Sequence, residues 1–324
     1  CNLRSRRSPR SVMASPTSVT MMTVLSLLMP ALPLSSAFTI RTAALQHTQS
    51  QSALPVQCAR GQSLAHMRVQ SAAAKMCMPE SERVAMLVLA GGSGKRMGAA
   101  KPKQFLELMG KPVLLHSLEQ MLQVKQLHTL VVVLAEEYRT LDFLAPILKD
   151  ERVRFANPGA ERQDSVENGL AEVPDECTLV AVHDAARPLV SLDAVHACLA
   201  DGAEHGAAVL AVPMKATVKE SEDGKFVTRT LERSRLWEIQ TPQVIRPQLL
   251  RDGFRRVHEE NLEVTDDVSI VEQLGEPVKL TLGEYTNLKL TTPEDMIVAE
   301  QVNSTIGQMC FLARILQGYL SHSN

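Results

Sequence analysis

Four glycines (Gly91, Gly92, Gly94, Gly98) and four basic residues (Lys95, Arg96, Lys101, Lys103) share the stretch LVLAGGSGKRMGAAKPKQF, Leu87 to Phe105, which opens on an apolar run. Glycine has no Cβ, so backbone N–H groups there can come close to an anion, and fixed positive charge beside them suits a polyphosphate. The chemistry that fits is transfer at phosphorus, where charge on the phosphorus oxygens and on the leaving group must be neutralised. Arg96 and Lys103 come from opposite ends of the loop and can converge on a triphosphate from both flanks. Both are cationic near neutral pH, arginine as a planar fork and lysine as a point charge.

Three familiar glycine motifs do not fit. A P-loop would need glycine at Leu89 and a hydroxyl at Arg96. A dinucleotide fingerprint starting at Gly92 would need its third glycine at Met97, and Gly98 comes one residue late. A nucleophile elbow around Ser93 would need glycine at Lys95. What remains is A-G-G-x-G-x-R-M followed by K-P-K-Q.

Such a loop needs a sheet to hold it. Arg83 to Ala90, His128 to Ala135, Thr178 to Asp184 and Ala207 to Pro213 read as buried strands. Pro112 to Leu122, Arg162 to Ala171 and Ser191 to Ala203 read as helices, the last with Ser191 as N-cap. The alternation predicts parallel strands with crossover helices, hence one α/β domain over residues 80–305. Ligands of such sheets sit at the carboxyl ends of strands, where Ala90 passes into the glycines. Met214 to Glu232 breaks the rhythm by alternating with period two around Asp223-Gly224, which predicts a hairpin, either a projecting arm at about 213–233 or a surface loop.

The chain has 324 residues, 34 basic and 36 acidic. No acid precedes Glu80, whereas eight of the basic residues do, which leaves 26 basic against 36 acidic residues in the body. A body so negative argues against a general nucleic-acid binder. Six scattered cysteines with no CxxC pair, and nine histidines with no HExxH, give neither a disulfide framework nor a zinc motif. Residues 1–79 read as a leader that is disordered or removed, with the apolar block Met21 to Leu34 as a signal core too short to span a membrane. The basic, Ser-rich stretch after Phe38 makes this leader similar to the two-part leaders of plastid proteins in algae with secondary plastids. An ordinary signal peptide with a pro-segment and a mitochondrial presequence are the alternatives. Residues 306–324 form a C-terminal tail.

The loop resembles that of nucleotidyltransferases acting on sugar or polyol phosphates. GAERQDSVENGL (Gly159 to Leu170), VAVHDAARPLV (Val180 to Val190), ERSRLWEIQTPQVI (Glu232 to Ile245), VTDDVSIVE (Val264 to Glu272) and NLKLTTPEDM (Asn287 to Met296) follow in the order seen in the 2-C-methyl-D-erythritol 4-phosphate cytidylyltransferase family. The resemblance covers nearly all of residues 83–303.

It implies a Rossmann-like nucleotidyltransferase fold with a mixed, mostly parallel sheet, helices on both faces and a projecting β-hairpin arm. It implies a homodimer that joins CTP to methylerythritol phosphate, releasing pyrophosphate, in plastid isoprenoid synthesis. Arg96 and Lys103 would then stabilise charge at the α-phosphorus and pyrophosphate, Lys289 on a strand-like NLKLTT would position the acceptor phosphate, and Arg233 would hold the acceptor from the partner subunit. Thr217 would join from the partner's arm, and Thr241 and Thr265 from the same chain. Ala90, Gly91, Gly94, Gly159 and Ser165 would shape the nucleotide pocket, with Ser165 bonding the base. Asp184 would meet ribose, acceptor or a Mg²⁺ held mainly by the CTP phosphates, or else cap the Ala185-Ala186-Arg187 turn, and Arg187 would join the substrate set. His183 would face the other side of its strand. Ribitol 5-phosphate cytidylyltransferase shares most of these blocks, and a non-catalytic nucleotide sensor is the rival of another class.

Overall fold

The computed structural model describes residues 78–92 and 101–305. Residues 1–77, 93–100 and 306–324 lie outside it, and with them the tail, Gly94, Arg96 and all of the leader but Met78 and Pro79, of which Met78 is buried in the core. The elements are β1 (Val84–Leu89), the short pair β2 (Glu107–Leu108) and β3 (Lys111–Pro112), α1 (Val113–Leu122), β4 (Leu127–Val133), β5 (Val153–Ala156), α2 (Arg162–Ala171) and β6 (Leu179–Asp184). Then come α3 (Leu192–His205), β7 (Ala207–Pro213), β8 (Lys219–Glu220), β9 (Arg229–Thr230), β10 (Trp237–Ile245), α4 (Pro247–Glu260), α5 (Asp267–Gln273), β11 (Lys279–Leu282) and a last helix over 293–305.

Seven strands form one sheet in the order β11-β7-β10-β6-β1-β4-β5. β1 pairs parallel with β4 and β6, β4 with β5, and β7 with β11; β10 alone runs antiparallel, between β6 and β7. The central strands are apolar on both faces, as a sheet covered twice requires. In β1, Val84, Met86 and Val88 face one core, with Leu114 and Leu118 of α1 and Val195 and Leu199 of α3. Ala85 and Leu87 face the other, with Val166 and Leu170 of α2, Phe254 of α4 and Val268 of α5. The single-residue alternation of a strand is what lets one apolar run serve two helix layers.

Ser191 caps α3 as expected, its Oγ accepting from Ala194 N at 3.2 Å. The Asp223-Gly224 turn also forms: Gly224 has φ +69°, and Asp223 Oδ1 accepts from Lys225 N (2.8 Å) and Phe226 N (2.9 Å). The hairpin ladder is shorter than its period suggests, two residues per strand, and its residues are mostly exposed, with little burial among the described residues to extend it.

One expectation is corrected. NLKLTT is not a strand, since β11 ends at Leu282 and residues 287–292 run as irregular chain. Their polar groups are satisfied elsewhere: Leu290 N donates to Ala186 O (2.8 Å), and Asn287 Nδ2 donates to Gln240 Oε1 (3.1 Å) and Thr241 O (3.0 Å). Behind this segment a small satellite core joins Leu108, Val113, Leu290 and Ala299, with Leu288 and Met296 packed on it. Lys289 is thus carried between the β2-β3 turn and the last helix.

Candidate active site

A cleft of 440 Å³ opens at the carboxyl ends of β1 and β6. Leu89, Gly91 and Gly92 come from the end of β1, Lys103 and Gln104 from the return of the glycine loop, Gly159 to Arg162 and Ser165 from the turn into α2, Asp184 to Ala186 from the end of β6, and Lys289 from the irregular segment. This is the crevice in which open α/β sheets bind ligands. α2 begins at its wall, which adds helix N-terminal N–H groups to the anion-binding side.

The turn before α2 is tightly built. Gly159 N donates to Ser165 Oγ (3.0 Å), and that hydroxyl donates to Glu161 O (3.1 Å). A Cβ at Gly159 would overlap Asp164, so only glycine fits. Ser165 therefore holds the turn as well as lining the cleft, which its expected bond to a base did not include.

Four charges meet on the floor. Arg162 donates to both oxygens of the buried Asp267 at 2.6 and 2.8 Å, and to Asp184 Oδ1 at 3.3 Å. Asp184 Oδ2 lies 2.6 Å from Lys289 Nζ. Burial alone would raise the Asp184 carboxyl, but Arg162 and Lys289 outweigh it and hold it well below the usual carboxylate range. Burial likewise opposes the Arg162 charge, and Asp267 and Asp184 more than restore it. The result is a fixed, ionised Asp184 that aims the Lys289 ammonium at the cleft. The carboxylate oxygens face these two cations, while the turn after β6 is closed by backbone, Arg187 N to Asp184 O at 2.9 Å. Lys103 Nζ donates to Leu290 O at 3.2 Å, so both lysines are anchored to the same segment.

Of the residues expected from sequence, Gly91, Lys103, Gly159, Ser165, Asp184 and Lys289 come together here. Ala90 does not line the cleft: it is buried, its N donating to Val133 O (2.9 Å) and its carbonyl accepting from Gln104 Nε2 (2.6 Å). Arg187, expected among the substrate-binding residues, is buried and does not line the cleft. Its buried guanidinium donates to Asn287 O (2.6 Å) and Ile239 O (3.3 Å), tying β6 and β10 to the Lys289 segment. Thr241 is also internal, its Oγ accepting from Asp184 N (3.1 Å) and meeting His183 Nδ1 (3.2 Å). His183 is buried, and burial lowers it to about 4, consistent with a neutral structural role. Thr265 lines a neighbouring 370 Å³ cavity with Asp266 and Asp267, separated from the cleft by Arg162. Thr217 and Arg233 stand on the exposed arm and do not line this chain's cleft; Arg233 Nη1 donates to Lys215 O at 3.2 Å. Sequence reasoning missed Arg162, Gln104 and Asp267, although all three lay inside motifs it singled out.

Among the described residues no three His, Cys, Asp or Glu side chains converge as a metal cage. A magnesium ion carried by a triphosphate needs only one or two protein carboxylates. Asp184, ionised at the end of β6, fits that need.

A mixed, mostly parallel sheet with helices on both faces and an anion cleft at its strand ends defines a nucleotidyltransferase fold. The family model for 2-C-methyl-D-erythritol 4-phosphate cytidylyltransferase (IspD) matches residues 84–304, and the chain belongs to this family. It is 52% identical over 221 residues to the chloroplastic enzyme of that name from Oryza sativa, covering 68% of this chain and 74% of the rice one. With the Pelotomaculum thermopropionicum enzyme of that name it shares 42% identity, covering 68% and 94%. Its fold matches the crystal structure of the Thermus thermophilus enzyme with a TM-score of 0.57 at 31% identity, covering 68% of this chain and 98% of that one.

Proposed function

We propose that this cleft binds CTP and joins its cytidylyl group to 2-C-methyl-D-erythritol 4-phosphate, releasing pyrophosphate, as family membership implies. The observation that carries the reading is the pair of lysines in one cleft, Lys289 fixed by Asp184 and Lys103 on the returning glycine loop. The acceptor phosphate is already an anion at neutral pH, so its in-line attack on the α-phosphorus needs placement and charge screening more than a general base. Lys103 and Arg96 screen the α-phosphate and pyrophosphate, and Lys289 draws in the acceptor phosphate. Gly91, Gly94 and Gly159 let backbone approach the nucleotide, and Ser165 keeps the turn beneath the base. Mg²⁺ bound with the triphosphate, Asp184 offering a carboxylate, would supply further charge neutralisation.

Arg233 and Thr217, exposed on the arm, serve the acceptor in the partner subunit of a homodimer. Residues 80–305 are the catalytic domain, and residues 1–79 direct it to the plastid, in keeping with the chloroplastic rice relative; their two-part character points to an alga with a secondary plastid.

The test is purified protein with CTP, Mg²⁺ and either methylerythritol phosphate or ribitol 5-phosphate, with release of pyrophosphate measured. Turnover with the first acceptor is expected; turnover with ribitol phosphate alone, or with neither, would overturn the reading. Lys103→Ala should lower kcat about 100-fold or more while CTP affinity changes far less. Equal losses in both would remove its role in the transition state.

A further inference from the structure

Gln104 sits where the glycine loop returns to the sheet. Its side chain is 4% exposed and lines the cleft, and its Nε2 donates to the Ala90 carbonyl at 2.6 Å. β1 ends at Leu89, so this carbonyl lies beyond the strand, and its donor comes from a residue fourteen positions later. An unpaired carbonyl at this place would carry the cost of a buried, unsatisfied acceptor.

Gln104 is also rigidly joined to Lys103. The two share one turn of 3-10 helix, Lys103–Phe105, closed by Phe105 N to Pro102 O (3.0 Å) and Leu106 N to Lys103 O (3.2 Å). On the far side Phe105 packs against Tyr138 and Phe143, with ring centroids 4.9 and 6.1 Å away. The turn is therefore held by aromatic packing through Phe105 and tied to the end of β1 by the Gln104 amide, while the Lys103 ammonium also meets Leu290 O.

We infer that Gln104 is a positioning residue for the transfer: its amide clips the returning end of the glycine loop to the end of β1 and so fixes the Lys103 ammonium against the triphosphate. This rests on the cytidylyl-transfer reading of the cleft. An amide suits the task because it donates without titrating and adds no negative charge beside the phosphates. Displacing a charge-screening group by about 1 Å can cost about 100-fold in rate.

Two variants test the role. Gln104→Met keeps the volume and removes the donor; kcat at saturating substrates should fall about 10- to 100-fold, with CTP affinity within about threefold of wild type. Gln104→Glu can donate to Ala90 O only when protonated, so its kcat relative to wild type should rise as pH is lowered from 8 to 5.5. A side chain that merely stabilised the fold would give neither the split between kcat and affinity nor that pH trend. If Gln104→Met fails to fold, the pH ratio of Gln104→Glu decides. Variant kcat values within twofold of wild type, equal losses in kcat and CTP affinity, or a flat pH ratio would each overturn the inference. Wild type run alongside separates the two readings. No turnover from it overturns cytidylyl transfer itself, whereas active wild type with unaltered variants overturns only the role of Gln104.

Discussion

His183 and Asp184 are neighbours on β6, yet their titrations act on the fold in different pH windows. An unfolded histidine binds its proton near 6.5, whereas His183 in the fold does so only near 4, because burial disfavours its charged form. Between those values the unfolded chain holds more protons, so stability rises with pH, is fully present above about 6.5 and is lost as pH falls toward 4. The shift corresponds to about 3 kcal/mol. Asp184 is also displaced downward, but toward its charged form: its contribution is present above about 4 and is lost only in stronger acid. Urea denaturation of wild type and His183→Asn from pH 7.5 to 4.5 separates the two residues. The variant should show the flatter dependence, and parallel curves would mean that His183 takes up its proton without cost in the fold. At this scale the sequence spoke clearly for Lys103 and Asp184, because a glycine loop and a strand end announce themselves locally. It was silent on the pairing of Arg162 with Asp267, since no periodicity links side chains 105 positions apart.

Among the elements, α2 and β7 have the bounds that their patterns predict, because each is covered along a single stripe or run through its whole length. β10 was hidden. Its sequence WEIQTPQVI carries Pro242, which has no N–H to give, and its ladder with β7 is irregular between Ile239 and Gln243. NLKLTT misled in the opposite way, since its alternation is that of a strand while its hydrogen bonds go to loop and side chain. Close packing between elements can be checked at Gly202 of α3. A Cβ there would run into Val244 of β10. Gly202→Ala should therefore destabilise the fold by about 1–3 kcal/mol through overpacking, despite the better helix propensity of alanine. A melting temperature at or above wild type would mean that α3 can lift away from the sheet freely.

For the molecule as a whole, the exposed arm raises the question of whose cleft it serves. If Arg233 reaches a partner, a mixture of Arg233→Ala and Lys103→Ala subunits forms heterodimers with one intact composite cleft, and activity should return toward about a quarter of wild type at equal mixing, the share expected from random pairing with one sound site in each mixed dimer. Proven subunit exchange with no recovery would assign Arg233 to its own chain. A second feature concerns the order of synthesis. Lys289 leans on the satellite core, and that core is finished by Met296 and Ala299 of the last helix. Translation delivers that helix after every other described element. A nascent chain can thus complete its seven-stranded sheet while the segment that carries Lys289 still lacks the packing of Met296 and Ala299 behind it.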